Sequence, residues 1–273
     1  MIQKYIEKTV VIKYGGNAMQ SEGLKSAVMN DLVHLAAMGI RVVLVHGGGP
    51  EISNMLAIMG KETKFINGLR YTDAETVEVA AMVLAGKVNK SLVSLIRQNG
   101  GKAIGLCGLD GGMLQVVKLQ GEADFGFVGE IEKVDTSPIT ILLDNGFIPV
   151  IATVGADAGG QTYNINADTA AAAIAGALKA DKFIFMTDVK GLLRDKDNET
   201  SLISRISAGE APKLMEEGII SGGMIPKIQS CVDGIKSGVR EVSIIDGRTE
   251  HSILRELSSE TGIGTRIYGE QNI

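Results

Sequence analysis

Short runs of β-branched and aliphatic residues alternate with longer segments of helical periodicity along most of this chain. The first run, Thr9–Tyr14, is followed at residues 21–38 by a segment whose leucines and valines recur at three- and four-residue steps. Neighbouring parallel strands need a crossover connection, which is usually a helix. The alternation therefore predicts an α/β fold with a mainly parallel sheet.

The same two periodicities predict the remaining elements. Strands are expected at residues 41–45, 102–106, 114–119, 127–134, 148–154, 182–187 and 241–245, and helices at 74–98, 168–180, 209–217 and 223–237. A hairpin over residues 64–72 is expected to turn at Asn67-Gly68, because this dipeptide tolerates positive φ. We place the boundary between an N-terminal lobe, 1–178, and a C-terminal lobe, 179–273, within the alanine-rich helix.

Composition and charge narrow the classes of function. The 273 residues include 27 Lys and Arg against 32 Asp and Glu, a formal net charge of −5. Proteins that hold nucleic acid cluster positive charge, so no nucleic-acid partner is expected. Cys107 and Cys231 form no closely spaced pair, which disfavours a disulfide framework or a zinc site. No apolar run reaches about 18 residues and no signal-peptide core is present, so we expect a cytoplasmic protein without a membrane partner.

Several common catalytic signatures are missing from the sequence. Neither a GxxxxGK[ST] phosphate loop nor a GxGxxG fingerprint after a strand is present, which excludes the usual P-loop and Rossmann sites. The histidines form no HExxH motif, and no GxSxG elbow marks a serine hydrolase. A nucleotide or acyl-transfer site would therefore have to be built differently.

Three glycine clusters lie where strands end or helices begin: Gly15-Gly16, Gly47-Gly48-Gly49 and Gly222-Gly223. Glycine lets backbone N–H groups converge on a ligand, and the N-terminus of a helix favours an anion. Together they predict a polyphosphate or carboxylate site at the carboxyl ends of the strands. The alternative is that each cluster is only a tight turn.

Four charged residues accompany these clusters. Lys13 ends the first strand, where it would either meet phosphate oxygens or extend to solvent. Lys227 falls in the first turns of a helix, an unfavourable place for a cation unless an anion lies in front of it. Asp168 would cap the alanine-rich helix or bridge the two lysines. Arg70 is either a surface residue or a bidentate clamp for a carboxylate.

Taken in order, the motifs resemble those of the amino acid kinase family over essentially the whole chain. The matching blocks are residues 11–19 (VIKYGGNAM), 45–50 (VHGGGP), 67–72 (NGLRYT), 164–168 (NINAD), 187–192 (TDVKGL) and 222–227 (GGMIPK). One such block would be weak, whereas the ordered set is specific. The resemblance implies a three-layer αβα open sandwich around a mainly parallel central sheet of about eight strands.

The resemblance also implies an activity, which is ATP-dependent phosphorylation of the γ-carboxylate of N-acetyl-L-glutamate in arginine biosynthesis. ATP would enter with Mg²⁺, and no metal site of the protein's own is implied. The implied catalytic residues are Lys13, Lys227 and Asp168. The implied acceptor-binding residues are Gly48, Gly49, Arg70, Asn164 and Asn166. The implied nucleotide-binding residues are Gly15, Gly16, Asp188, Val189, Lys190, Gly191, Leu192, Leu193, Ile219, Ile220 and Ser221.

The implied chemistry needs no general base, because a carboxylate nucleophile with a pKa near 4 is already ionised at neutral pH. Two alternatives remain open: a kinase of the same superfamily for another carboxylate, such as an aminoadipate-type substrate, and a non-catalytic sensor of an amino acid or nucleotide. Arginine-inhibited hexameric members carry a longer helix before the first strand than the roughly eight residues that precede Thr9 here. We therefore expect a homodimer, with its interface in the N-terminal lobe.

Overall fold

The computed structural model describes residues 1–19, 21–195 and 197–269, apart from the side chains of Asn17 and Ala18. The strands are β1 Thr9–Tyr14, β2 Arg41–His46, β3 Phe65–Ile66, β4 Leu69–Arg70, β5 Ala103–Cys107, β6 Leu114–Lys118, β7 Val128–Val134, β8 Ile148–Ala152, β9 Val154–Ala156, β10 Thr162–Ile165, β11 Lys182–Thr187, β12 Arg205–Ser207, β13 Glu241–Asp246 and β14 Thr265–Tyr268. The α-helices are α1 Glu22–Ala37, α2 Gly49–Ile58, α3 Ala74–Ala81, α4 Asn89–Gln98, α5 Ser137–Asp144, α6 Ala167–Ala177, α7 Ala211–Glu216, α8 Met224–Lys236 and α9 Ser252–Ser258.

Within the described residues, the central sheet contains eight strands in the order β12-β14-β13-β11-β1-β2-β8-β5. All neighbouring pairs are parallel except β13 and β14. Because β1 pairs directly with β11, the sheet runs without a break across the predicted boundary at residue 178. The α/β class and the mainly parallel eight-stranded sheet are thereby confirmed, while the division into two functional lobes stays a prediction.

Helices cover both faces of the sheet because its central strands are apolar on both sides. Alternate residues of β1 belong to different cores: Ile12 packs with α1 and α4, and Val11 packs with α6 and α8. This gives the three layers of the expected αβα sandwich. A parallel sheet of this kind places its ligand-binding loops at the carboxyl ends of the strands, beside the core and outside it.

Two predicted elements differ in detail from the structure. The run 148–154 forms two strands, and β9 leaves the central sheet to join β6, β7 and β10 in a small closed sheet. The predicted helix at 74–98 contains a π-helical segment, Met82–Val88, between α3 and α4. By length and composition alone, Ala74–Gln98 is apolar enough to cross a membrane. Its buried face, which includes Leu84, Leu92 and Ile96, packs in the hydrophobic core.

Candidate active site

Two of the glycine clusters meet at the carboxyl edge of the central sheet. Tyr14 of β1 lies opposite His46 of β2, and the backbone N–H of Gly47 donates to the Tyr14 carbonyl at 3.2 Å. A Cβ on Gly48 would lie only 2.7 Å from Cδ2 of Leu84 and 3.2 Å from Cγ2 of Val88, so a larger residue there would force these two side chains to move. Glycine is therefore needed to bring this loop close to the neighbouring helix.

Lys13, Asp168 and Lys227 form one charged cluster at this edge. The Nζ atom of Lys13 lies 2.8 Å from Oδ1 of Asp168, and Nζ of Lys227 lies 3.3 Å from Oδ2 of the same carboxylate. The exposed side-chain fractions are 8% for Lys13, 18% for Asp168 and 28% for Lys227, so the cluster opens to solvent through Lys227. Because one carboxylate faces two ammonium groups, the three side chains carry a net positive charge.

The position of Asp168 corrects one sequence-based interpretation. The N-cap of α6 is Asn166, whose Oδ1 accepts hydrogen bonds from the backbone N–H groups of Asp168 and Thr169. Asp168 is the second residue of α6, a position from which its carboxylate reaches both lysines. The positive end of the helix dipole also stabilises the negative charge there. Burial acts to raise the pKa of Asp168, but Lys13 and Lys227 outweigh it and hold that pKa below its usual value.

Phe185 supports the same cluster from beneath and had no signal in the sequence. It is fully buried on β11 and lies opposite Lys13 across the β1–β11 pairing. Its ring centroid is 4.8 Å from Nζ of Lys13 and 5.4 Å from Nζ of Lys227. Both distances fall within the range of about 6 Å for a cation–π interaction. A phenylalanine within an apolar strand is otherwise typical of a core residue.

A cleft of about 380 Å³ adjoins the charged cluster. All five of the predicted acceptor-binding residues line it: Gly48, Gly49, Arg70, Asn164 and Asn166. Phe65 and Leu69 of the predicted 64–72 hairpin also line the cleft. Ala167, which directly precedes Asp168, borders the cleft as well, so the cleft reaches the start of the helix that carries this aspartate.

Arg70 is a buried cation in this cleft, with a residual exposure of 7%. Its Nη2 donates to the Gly49 carbonyl at 2.8 Å and to Oγ of Ser53 at 2.9 Å, and its Nη1 donates to Oγ1 of Thr63. These acceptors are all neutral, and burial lowers the pKa of the guanidinium from its ordinary value. The guanidinium carbon also lies 5.0 Å from the ring centroid of Phe65. Among the described residues, Arg70 thus contacts neutral groups and no carboxylate, and a buried positive charge of this kind favours an anionic ligand.

His46 is a second residue that sequence reasoning did not assign to the site. It is fully buried, and burial lowers its pKa to about 4. Its Nδ1 lies 2.8 Å from the Gly47 carbonyl, and its Nε2 lies 3.1 Å from the side-chain amide of Asn89. A neutral ring that donates from Nδ1 and accepts at Nε2 satisfies both contacts. His46 thus fixes the start of the triple-glycine loop.

The predicted nucleotide-binding residues beyond the glycines lie in two loops. Asp188 directly follows β11 at the carboxyl edge, and Ser221 lies just before α8. Gly191 has a φ of 147°, and a Cβ at this position would lie 2.6 Å from Oγ1 of Thr265. The same Oγ1 accepts a hydrogen bond from the backbone N–H of Leu192. The side chains of Leu192 and Ile220 are buried in the core, so only their backbone is available to a ligand. Nucleotide contact by these loops stays a prediction.

Comparison with known proteins places this site in context. The family model described as the amino acid kinase family matches residues 8–246. An acetylglutamate kinase from Brachyspira hyodysenteriae is 55% identical over 267 residues, which cover 98% of this chain and 93% of the relative. An acetylglutamate kinase from Clostridioides difficile is 56% identical over 269 residues, covering 98% of this chain and 94% of the relative.

Solved structures agree with the fold. An N-acetylglutamate synthase from Neisseria gonorrhoeae aligns over 98% of this chain with a TM-score of 0.86 and 29% identity, and this chain spans 61% of that longer protein. A carbamate kinase from Giardia lamblia aligns over 96% of this chain with a TM-score of 0.69. At 18% identity, the second likeness shows the fold alone. From the family model and the two relatives above 50% identity, the chain belongs to the amino acid kinase family.

Proposed function

We propose that this protein transfers the γ-phosphoryl group of ATP to the γ-carboxylate of N-acetyl-L-glutamate, a step of arginine biosynthesis. The observation that carries the proposal is the cleft in which the buried Arg70 contacts neutral groups. This cleft reaches Ala167, the neighbour of the aspartate that Lys13 and Lys227 share. The relatives that are 55% and 56% identical over nearly the whole chain are acetylglutamate kinases. ATP is the co-substrate that kinase chemistry requires.

The acceptor binds through its charges. The guanidinium of Arg70 pairs with the α-carboxylate through its charge and the N–H groups that Gly49, Ser53 and Thr63 leave free. The side-chain amides of Asn164 and Asn166 offer hydrogen bonds to the rest of the acceptor at the same cleft. The γ-carboxylate then extends along Gly48 and Gly49 toward the lysine pair. This arrangement selects a dicarboxylate whose two ends are separated by the span from Arg70 to the charged cluster.

Transfer forms a bond between the γ-phosphorus and a γ-carboxylate oxygen. The bond from that phosphorus to the β–γ bridging oxygen breaks, and ADP leaves with the electron pair. Because the nucleophile is already an anion, the barrier is mainly repulsion between negative charges together with alignment. Lys13 and Lys227 lower it by placing positive charge around the phosphoryl oxygens, and Asp168 holds both lysines ready before substrates bind.

Mg²⁺ would be carried by the phosphates of ATP. The carboxylate nearest the transferring group, Asp168, is already engaged by two lysines, and the described part of the chain holds no cluster of His, Cys, Asp and Glu suited to a metal. When bound, Mg²⁺ supplies charge neutralisation on the nucleotide oxygens. The protein's own residues supply the remaining positive charge.

The nucleotide is proposed to bind to the C-terminal lobe, 179–273, and the acceptor to the N-terminal lobe, 1–178. Asp188 and Ser221 border the proposed nucleotide site.

We further propose a cytoplasmic homodimer that associates through the N-terminal lobe, where Ile58 and Met82 leave 72% and 63% of their surfaces exposed. Light scattering at several protein concentrations measures this association. We expect the Met82→Lys variant to dissociate the dimer.

A hydroxylamine-trapping assay tests the activity directly. The acyl phosphate made from ATP, Mg²⁺ and an acylated amino acid reacts with hydroxylamine to give a coloured hydroxamate. We expect N-acetyl-L-glutamate to be the preferred acceptor over N-acetyl-L-aspartate and N-acetyl-L-aminoadipate, and Lys227→Ala to abolish most of the signal. Preference for aminoadipate would assign a different acceptor, and ligand binding without any hydroxamate would indicate a sensor.

A further inference from the structure

The ring of Phe185 lies within cation–π distance of both lysines of the charged cluster. We infer that Phe185 is a positioning residue whose ring holds the ammonium groups of Lys13 and Lys227 in the arrangement that transfers the phosphoryl group. This inference rests on the proposed function. It adds a group that touches neither substrate and acts through the two lysines.

The local structure explains how the ring reaches both cations. Phe185 lies opposite Lys13 in the β1–β11 pairing, so the two side chains project to the same face of the sheet. Lys227 approaches the same ring from α8, which packs on α6 above that face. One buried aromatic face thus meets two cations that come from opposite ends of the chain.

The ring does something that a second carboxylate could not. A carboxylate fixes the direction of the ammonium hydrogen bonds and cancels their charge, as Asp168 partly does. The negative face of an aromatic ring attracts a cation without accepting a directed hydrogen bond and carries no net charge. The lysines can therefore turn their N–H groups from Asp168 toward phosphoryl oxygens while the ring still stabilises their charge from beneath.

Phe183 provides a matched control within the same strand. It lies two residues earlier on β11, is equally buried, and contacts Phe185 edge-on with a centroid separation of 6.0 Å. The cation–π contacts of the described lysines in this cluster are made with Phe185. A purely structural role for the two rings would make them equivalent, whereas the inference makes only one of them matter for turnover.

The experiment replaces Phe185 in the full chain with mono-, di- and trifluorophenylalanine. Added fluorine weakens the negative face of the ring while it nearly preserves the ring's shape. We expect kcat for N-acetyl-L-glutamate phosphorylation to fall with each fluorine, by about tenfold over the series, while KM for the acceptor stays unchanged and the protein remains folded under the assay conditions. The same series at Phe183 should leave kcat unchanged.

A second measurement separates this inference from the proposed function. Labelling of Lys13 and Lys227 by an amine-selective reagent, followed by mass spectrometry, requires no turnover. We expect labelling to speed up with each fluorine at Phe185 and not at Phe183, because the weaker ring face no longer holds the two amines in place. If the unmodified protein makes no acyl phosphate, the proposed function is wrong. In that case the labelling rates of Lys13 and Lys227 still test the inference. If neither kcat nor the labelling rate changes across the Phe185 series, the inference is wrong and Phe185 only packs in the core.

Discussion

Two clusters of charge lie at opposite edges of the same sheet and differ in their balance. At the carboxyl edge, Lys13 and Lys227 share the single carboxylate of Asp168, and the cluster opens to solvent through Lys227. At the amino edge, Lys182 and Arg266 are matched by two carboxylates, Glu241 and Glu256. Lys182 and Glu256 are fully buried.

The side chains of the amino-edge cluster also hydrogen-bond to one another. Glu256 accepts from Arg266 at 2.8 Å and from the hydroxyl of Ser243 at 2.8 Å, and Lys182 also donates to that hydroxyl. Burial acts to raise the pKa of Glu256, but Lys182 and the other partners outweigh it and hold that pKa below its usual value. A balanced, enclosed network stabilises the fold and has no remaining capacity for a ligand, whereas an excess of accessible positive charge attracts an anion.

The strongest test of this difference removes a cation from the balanced side. Lys182→Met leaves Glu241 and Glu256 short of a partner in a buried site, so the free energy of unfolding should fall by about 3–5 kcal/mol. Urea denaturation measures the loss, and the kcat of the molecules that remain folded should stay within about twofold of wild type. Lys236→Met, at an exposed position of α8, serves as the control. A loss below about 1 kcal/mol would contradict a structural role for the network.

The converse change removes a cation from the open side. Lys227→Ala should lower kcat by about 10²–10³, by analogy with the loss of a transition-state hydrogen-bond donor. Its effect on the unfolding free energy should be below about 1 kcal/mol, because the partly exposed side chain leaves behind the balanced Lys13–Asp168 pair. Steady-state kinetics and urea denaturation of the same preparation provide both values. Lys213→Ala on α7 should change neither. Near-normal turnover in Lys227→Ala would contradict its assigned role.

A third prediction concerns the pH dependence of stability. It depends on His46, which lies at the carboxyl edge of the sheet. Its folded pKa of about 4 is below the unfolded value of 6.5, so the unfolded chain binds the proton first as the pH falls. Stability should therefore decline below about pH 6.5, with about 2 kcal/mol lost by pH 5. His46→Asn should remove that slope while keeping a donor near the Gly47 carbonyl, and His34→Gln should retain it. An unchanged slope in His46→Asn would assign the acid sensitivity to other groups.

The smallest effect concerns the helix end that presents Asp168. Asn166→Ala removes the side-chain acceptor for two backbone N–H groups of α6 and should cost about 1 kcal/mol of stability. Asn166→Ser should retain most of that stability, since serine is also a good N-cap. Thermal unfolding of the two variants separates the cap from other roles of the position. Equal midpoints for the two variants would show that the cap is energetically silent.

Much of the fold follows from local patterns in the chain. The strand at Thr9–Tyr14 and the strand at Lys182–Thr187 form as predicted, because β-branched and aromatic runs bounded by turn residues carry their own signal. The five residues predicted to bind the acceptor line one cleft, while their contact with the acceptor stays a prediction. The break between β8 and β9 was not predicted, since a continuous apolar run does not show where a strand changes sheets.

The parts of the site that escaped prediction depend on contacts between distant residues. Phe185 and His46 look like ordinary core and strand residues until β1, β2 and β11 are placed side by side. Lys182 likewise looked like the start of a strand, and its matching carboxylates occur more than fifty residues later in the chain. The identity of the N-cap was also missed, because Asn166 and Asp168 are both good capping residues and only the backbone geometry distinguishes them.

The order of α6 and α8 along the chain determines when the charged cluster is completed. During synthesis, a chain that has emerged only through α6 contains Lys13 and Asp168, a pair without net charge. The excess positive charge arises when α8, made much later, docks onto α6 and delivers Lys227. Such long-range closure slows folding. It also means that a polypeptide whose synthesis has not reached α8 lacks the second ammonium group of the cluster.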